Sequence, residues 1–131
     1  MTTKLTVVDE APNGIHKGSV DLELPSETTT LREILRARVY QEVQDFNVQK
    51  RELFRGLVQP EGATAESGGF RPRRGRTLDW QKQFDAAVEA FARNGFFVLV
   101  DSRQVDALDA PLEIRPGTRV SFVKLVPLVG G

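Results

Sequence analysis

Apolar and polar residues alternate near the start of the chain in the way that is typical of β-strands. Residues 4–8 are rich in β-branched side chains, and within residues 17–24 every second residue from Val20 to Leu24 is apolar. This period of two indicates a strand with one buried face. Between the two segments, Asn13-Gly14 favours a tight reversal of the chain. The pattern therefore predicts an N-terminal β-hairpin.

An amphipathic helix is predicted next. Thr30 followed by Glu33 has the form of a capping box, which marks a helix N-terminus. Apolar residues then recur at spacings of three and four, namely Leu31, Ile34, Leu35, Val39, Val43 and Phe46. The charged residues of this segment fall mainly on the opposite, solvated side, namely Arg32, Arg36, Glu42 and Asp45. We therefore expect the apolar side to pack across the hairpin.

The regular pattern stops between residues 48 and 76, where Gly and Pro interrupt a mostly polar stretch. Such composition is typical of a long loop, and we predict a flexible insertion over residues 48–76. Helical periodicity returns in residues 78–93 and ends at Asn94-Gly95, a common helix C-terminus. The insertion is thus expected to be followed by a second helix.

Three more strands are predicted after this helix. Residues 96–100 form an apolar run that is too short for a helix, and a turn at Asp101-Ser102 leads into residues 103–105. After a turn at residues 115–118, residues 120–125 are again strand-like. The predicted fold class is α+β, with a single domain over residues 1–131 in which one helix crosses a mixed sheet.

Composition narrows the classes of function. The chain has 131 residues, with 18 basic and 18 acidic side chains and no cysteine. A net charge of zero provides no field to hold the protein on nucleic acid or on an anionic membrane, so we expect neither as a partner. Without Cys there is no thiolate metal site and no Cys nucleophile, and His16 is the single histidine. We predict no catalytic residue, no metal and no cofactor on this chain.

The N-terminal residues lack the basic and apolar regions of a signal peptide, and no apolar run reaches the roughly 18 residues of a membrane span. We therefore expect a cytoplasmic protein.

The last six residues follow directly on the final predicted strand. Pro127 cannot donate to a strand ladder, so pairing should end there and residues 126–131 should project as an exposed tail. A tail has little core in which to bury Val126, Leu128 and Val129. We predict that residues 126–129, Pro127 included, dock in a partner, where each apolar side chain contributes about 1–2 kcal/mol.

Alternation along the final strand also predicts a partner surface. Val120 and Phe122 fall on one face, which we assign to the core. Val123 and Leu125 fall on the other face, where apolar side chains framed by polar residues are typical of a binding surface.

Several segments in the C-terminal third occur in a characteristic order: residues 97–105 (FVLVDSRQV), 110–112 (APL), 116–120 (PGTRV) and 126–131 (VPLVGG). This order resembles the C-terminal half of the small subunit of molybdopterin synthase and related sulfur carriers, and the topology and terminus are similar to those of ubiquitin. Bacterial ubiquitin-like proteins that are encoded with E1-like, E2-like and JAB-type peptidase partners also look similar, because their cores carry additional elements, as the insertion would be here. The resemblance implies a β-grasp, ubiquitin-like fold.

In both families the resemblance implies that an E1-like partner uses ATP to adenylate the terminal carboxylate, here that of Gly131. Gly130 and Gly131 lack side chains and would fit a narrow channel. The chain is then a substrate and not an enzyme. The adenylate reacts with a partner Cys and then with an amine of an unknown target protein, or with a sulfur donor to give a thiocarboxylate.

We predict the protein modifier, with an E2-like protein and a JAB-type peptidase as further partners. The alternatives are the sulfur carrier and a self-assembling interaction module. In the last of these, the insertion at residues 48–76 would bind another copy of the chain and form a homo-oligomer.

Overall fold

The structure of the protein is a computed structural model that describes residues 3–11, 16–49, 51–73 and 77–125. It combines helices with a five-stranded mixed sheet. The elements in chain order are β1 (Thr3–Glu10), β2 (His16–Leu24), β3 (Thr28–Thr30), α1 (Leu31–Gln49), β4 (Thr64–Glu66), β5 (Gly69–Arg71), α2 (Trp80–Ala92), β6 (Phe96–Val100), β7 (Arg103–Val105), β8 (Pro111–Glu113) and β9 (Arg119–Lys124).

The main sheet has the strand order β2-β1-β9-β6-β7. Strand β9 is parallel to β1, and the other neighbouring pairs are antiparallel. The predicted N-terminal hairpin is confirmed by the pairing of β1 with β2, although its turn at Asn13-Gly14 lies outside the described residues. The last strand of the described residues therefore lies in the middle of the sheet, beside the first one.

Helix α1 covers one face of this sheet. The Thr30 hydroxyl accepts a hydrogen bond of 3.2 Å from the Glu33 amide, as the predicted N-cap requires. We call the sheet face under α1 the closed face. Its buried side chains are Leu5, Val7, Leu22, Leu24, Phe96, Val98, Val120 and Phe122, and they form one core with Leu31, Ile34, Leu35, Val39 and Val43 of α1. The predicted crossing helix is confirmed.

Helix α2 lies on the same side of the sheet as α1. Asp79 caps its first turn by accepting from the amides of Gln81 and Lys82. The Trp80 ring meets the Tyr40 ring of α1 edge-on at 5.3 Å, and the Phe91 ring lies 5.8 Å from that of Phe96 on the closed face. Neither described helix is long and apolar enough to cross a membrane.

Residues 51–73, within the segment predicted as a flexible insertion, contain the β4–β5 hairpin. Phe54 makes two backbone hydrogen bonds with Phe70, of 2.7 and 2.8 Å, which attach the preceding segment to this hairpin. Phe54 and Leu57 are buried in the main core. The sequence pattern missed this arrangement, because the strands have three residues each and the anchoring side chains are isolated.

Candidate interaction surface

The face of the sheet opposite to the helices carries a second group of apolar side chains. We call it the open-face patch, and its members are Val8, Phe97, Leu99, Val123 and Leu125. Phe97, Leu99, Val123 and Leu125 neither belong to the core cluster nor pack against it, whereas Val8 is a buried residue. Val8 is 6% exposed, and the other four are half-buried. Phe97, Leu99, Val123 and Leu125 are therefore apolar surface that the described residues leave partly accessible to a partner, with Val8 buried beside them.

Strand register explains why these residues meet. Ser121 of β9 pairs with Val8 on one side and with Leu99 on the other. Two residues further along β9, Val123 pairs with Phe97. Directly paired residues on neighbouring strands have their side chains in contact on the same face. The patch therefore crosses the three central strands in two adjacent rows.

Charged and polar groups border the patch. Arg119 donates to the Glu10 carboxylate at 2.8 Å, and the Thr6 hydroxyl donates to Asp21 at 2.9 Å. Gln104 pairs with Leu99 on the other side. An apolar centre with a polar border is the usual composition of a protein-binding surface.

The structure brings the two predicted surface residues into this patch. Val123 is in its second row, and the Leu125 amide donates at 3.3 Å to the carbonyl of Gly95. Sequence reasoning missed Val8, Phe97 and Leu99. Two features of the sequence could have identified them: the adjacent apolar residues Val7-Val8 and the unbroken apolar run of residues 96–100. A strand has such a run when both of its faces carry apolar side chains.

A buried ionic cluster lies on the closed face near the end of β9. The Arg38 guanidinium, 2% exposed, donates to both carboxylate oxygens of Asp9 at 2.5 and 2.7 Å. It also lies 3.4 Å from Glu42 and 4.5 Å from the centre of the Phe122 ring. These contacts link α1 to the ends of β1 and β9. They were not predicted, because an arginine at a core-facing helical position is uncommon.

Burial and charge shift the pKa values in this cluster. Burial raises the pKa of Glu42, and the Arg38 charge opposes that shift only in part. Burial by itself would lower the pKa of Arg38, but the nearby carboxylates of Glu42 and Asp9 outweigh that effect, so the pKa is raised. Burial also lowers the pKa of Lys124. Glu42 was expected on the solvated side of α1, and its side chain is in fact only 14% exposed.

Lys124 connects the cluster to the insertion. Its Nζ donates to the carbonyl of Gly56 at 3.2 Å. Further along the chain, the Gln83 side chain donates to the carbonyl of Val58 at 3.1 Å. Lys124, the last residue of β9, is thus hydrogen-bonded to the insertion at a point close to the start of the predicted tail.

The tail itself lies outside the described residues. This applies to the predicted docking residues Val126, Pro127, Leu128 and Val129, and to the predicted attachment residues Gly130 and Gly131. Their roles stay predictions. Among the residues that the structure does describe, no group of three or more His, Cys, Asp or Glu side chains could hold a metal ion.

Comparison with known proteins identified no family for this chain. No protein-family model, no curated protein and no solved structure matches it.

Proposed function

We propose that this chain is a ubiquitin-like protein modifier with a β-grasp fold, attached to target amines through the carboxylate of Gly131. The observation that carries the proposal is the order of the main sheet. Strand β9 lies between β1 and β6, parallel to β1, and α1 crosses the closed face. This arrangement of strands and helix supports the proposal of a β-grasp fold.

The position of β9 supports a role for the residues that follow it. A central strand is held by hydrogen bonds on both sides, so its end is a fixed point from which a short segment can extend. Residues 126–131 follow Leu125 directly in the sequence. The Gly131 carboxylate can then enter the nucleotide site of an E1-like enzyme while the folded domain stays on that enzyme's surface.

The chemistry proceeds through groups that the partners supply. A Gly131 carboxylate oxygen attacks the α-phosphorus of ATP, and pyrophosphate leaves. A Cys thiolate of the partner then attacks the acyl adenylate, and AMP leaves. Finally a target amine displaces the thiolate, loses a proton and forms an amide bond. Each covalent step replaces one difficult reaction with easier ones.

The open-face patch is the surface that we assign to the activating enzyme. Val123 and Leu125 connect it directly to the tail, and Phe97 and Leu99 extend it over the neighbouring strand. Docking on the patch and docking of residues 126–129 would occur together, because β9 joins them. This bivalence raises the effective concentration of Gly131 at the nucleotide site.

Intact mass spectrometry of the protein from its native host tests the proposal. The wild-type chain is compared with a variant that lacks Gly130 and Gly131, and with a control variant, Lys82→Arg, which keeps the tail. We expect the wild-type and control proteins to carry isopeptide adducts through Gly131 and the shortened protein to carry none.

Other outcomes would overturn the modifier. Replacement of one carboxylate oxygen by sulfur would show a sulfur carrier, which shares the activation step. A chain that does not end at Gly131, or one without any modification at its terminus while its neighbouring genes are expressed, would leave the self-assembling module as the function to pursue.

A further inference from the structure

A cleft separates the C-terminal half of α1 from residues 51–55 of the insertion. Its volume is about 250 Å³, which is below the range of about 300–1,000 Å³ that is typical of sites for drug-sized molecules. Phe46 of α1 and Phe54 of the insertion both line it, with their rings edge-on and the ring centres 5.5 Å apart. The cleft therefore has an apolar part and room for a small ligand.

The two walls of the cleft carry opposite charges. Glu42 and Asp45 lie on the α1 wall, which we call the acidic wall, and Arg51 and Arg55 lie on the wall formed by the insertion, the basic wall. Among the described residues, no ion pair joins the two walls. Opposite charges that line one cleft without pairing favour a ligand that carries both charges itself.

The acidic wall includes a carboxylate that is largely buried. The Glu42 side chain is 14% exposed, and its contact with Arg38 Nε is long, at 3.4 Å. Arg38 makes its shorter hydrogen bonds with Asp9 instead. Burial raises the pKa of Glu42, which indicates that its charge is not fully compensated by these neighbours. An ammonium group in the cleft would supply a closer partner.

The basic wall is held in place by the β4–β5 hairpin. Gly69 of β5 lies so close to it that a Cβ atom there would be 2.9 Å from the carbonyl oxygen of Phe54 and 3.3 Å from Cγ of Arg55. The backbone hydrogen bonds between Phe54 and Phe70 fix the same segment. The stem of Arg55 is therefore held, while the residue as a whole is exposed, so its guanidinium is available to bind a carboxylate.

We propose that this cleft binds a free α-amino acid with an apolar side chain. The ammonium group binds the acidic wall, the carboxylate binds the basic wall, and the side chain packs against the rings of Phe46 and Phe54. The cleft is separate from the open-face patch, because it lies on the side of the sheet that α1 covers. The inference holds whether or not Gly131 is activated.

Titration of the full chain with L-leucine, followed through the amide signals in two-dimensional NMR spectra, tests this site. We expect saturable shifts at residues that line the cleft, Phe46, Phe54 and Arg55 among them, with a dissociation constant of about 1 mM or below. Isocaproate is leucine without the amino group, and isoamylamine is leucine without the carboxylate. Each should bind about tenfold more weakly than leucine, because it leaves one wall without its partner.

Two variants test the walls separately. Glu42→Gln removes a charge of the acidic wall and keeps the shape of the side chain, and Arg55→Gln removes a charge of the basic wall. Each should raise the dissociation constant for leucine about tenfold, since a charged hydrogen-bond partner is lost. Glu33→Gln is the matched control, because Glu33 is an exposed carboxyl of α1 that does not line the cleft. It should bind leucine as the wild type does.

Circular dichroism checks that each variant folds. Arg55 is exposed, so Arg55→Gln keeps the test decisive even if Glu42→Gln is unstable. Three results would overturn the site: no saturable shift at the residues of the cleft, leucine binding that is no tighter than that of either analogue, or an unchanged dissociation constant in Arg55→Gln.

Discussion

The two faces of the main sheet bury their apolar side chains to different extents. On the closed face, Val98, Val120 and Phe122 have no exposed surface and lie under α1. On the open face, Leu99 and Val123 occupy the same strands, in neighbouring positions, and are half-buried outside the core. Strand composition alone therefore does not distinguish a face that the helices cover from a face that stays partly exposed. Helix position makes that distinction.

The largest expected difference between the faces is at Phe96 and Phe97, which are adjacent in β6. Phe96 is 3% exposed and lies between the rings of Phe91 and Phe122. Phe96→Ala should lower the free energy of unfolding by about 3–5 kcal/mol, because it removes buried surface and leaves a cavity. Phe97→Ala should cost only about 1–2 kcal/mol. Urea denaturation of both variants measures the difference.

Equal losses at the two positions would contradict the assignment of an open face. Such a result would mean that Phe97 is covered in solution, either by residues outside the described part of the chain or by another molecule. Repeating the measurement at several protein concentrations separates these two cases, since only coverage by another copy depends on concentration.

The second prediction concerns the buried charge of the closed face. Arg38→Met keeps an unbranched side chain but removes the partner of Asp9 and Glu42, whose side chains are 22% and 14% exposed. Leaving buried carboxylates unpaired is costly, and we expect a loss of about 2–4 kcal/mol after allowance for this exposure. Arg36→Met, on the exposed side of α1 over the Phe84 ring, is the control and should cost about 1 kcal/mol or less. Similar losses in the two variants would show that the cluster does not hold α1 to the sheet.

Regular periodicity made much of the fold predictable from sequence. The hydrophobic spacing of α1 and the alternation in β2 each repeat over several residues, so they identified the element and its buried face. The Asp101-Ser102 turn was predicted too, and both residues have the positive φ that a tight hairpin turn requires. Strands β3 and β8, of three residues each, pair only with one another and have too few residues to show a period.

The candidate site was predictable only in part, for a different reason. Val123 and Leu125 could be assigned to one face because alternation is a local property. Their meeting with Val8 and Phe97 depends on which strands become neighbours, and no local pattern specifies the parallel pairing of β1 with β9. The position of Arg38 depends likewise on Asp9, which is 29 residues away in sequence.

A smaller effect is expected from replacing a methyl group by a hydroxyl on each face of β9. Val120→Thr puts the hydroxyl among fully buried apolar groups, and we expect a loss of about 1–3 kcal/mol. Val123→Thr has nearly the same shape but leaves the hydroxyl in contact with water, so the change should be within about 0.5 kcal/mol. Thermal unfolding followed by circular dichroism compares the two. A large loss at Val123 would mean that this residue is part of the core.

The last and smallest effect is a dependence of stability on pH that only the closed face should show. Burial raises the pKa of Glu42 above its ordinary value of 4.5. As pH rises above that value, the unfolded chain loses the Glu42 proton before the folded chain does. The folded state then binds more protons, so this group lowers stability with increasing pH until the raised folded pKa is passed.

Glu42→Gln removes that titration while keeping an oxygen that can accept from Arg38. Relative to this variant, the wild type should lose stability as pH rises above 4.5, with a slope of at most about 1.4 kcal/mol per pH unit. Urea denaturation at a series of pH values measures the difference. Glu33→Gln, the same change on an exposed carboxyl of α1, is the control and should not reproduce it. If the wild type instead gains stability relative to Glu42→Gln over this range, the attraction of Arg38 outweighs burial at Glu42. The cluster would then stabilise the closed face through its charges as well as through its packing.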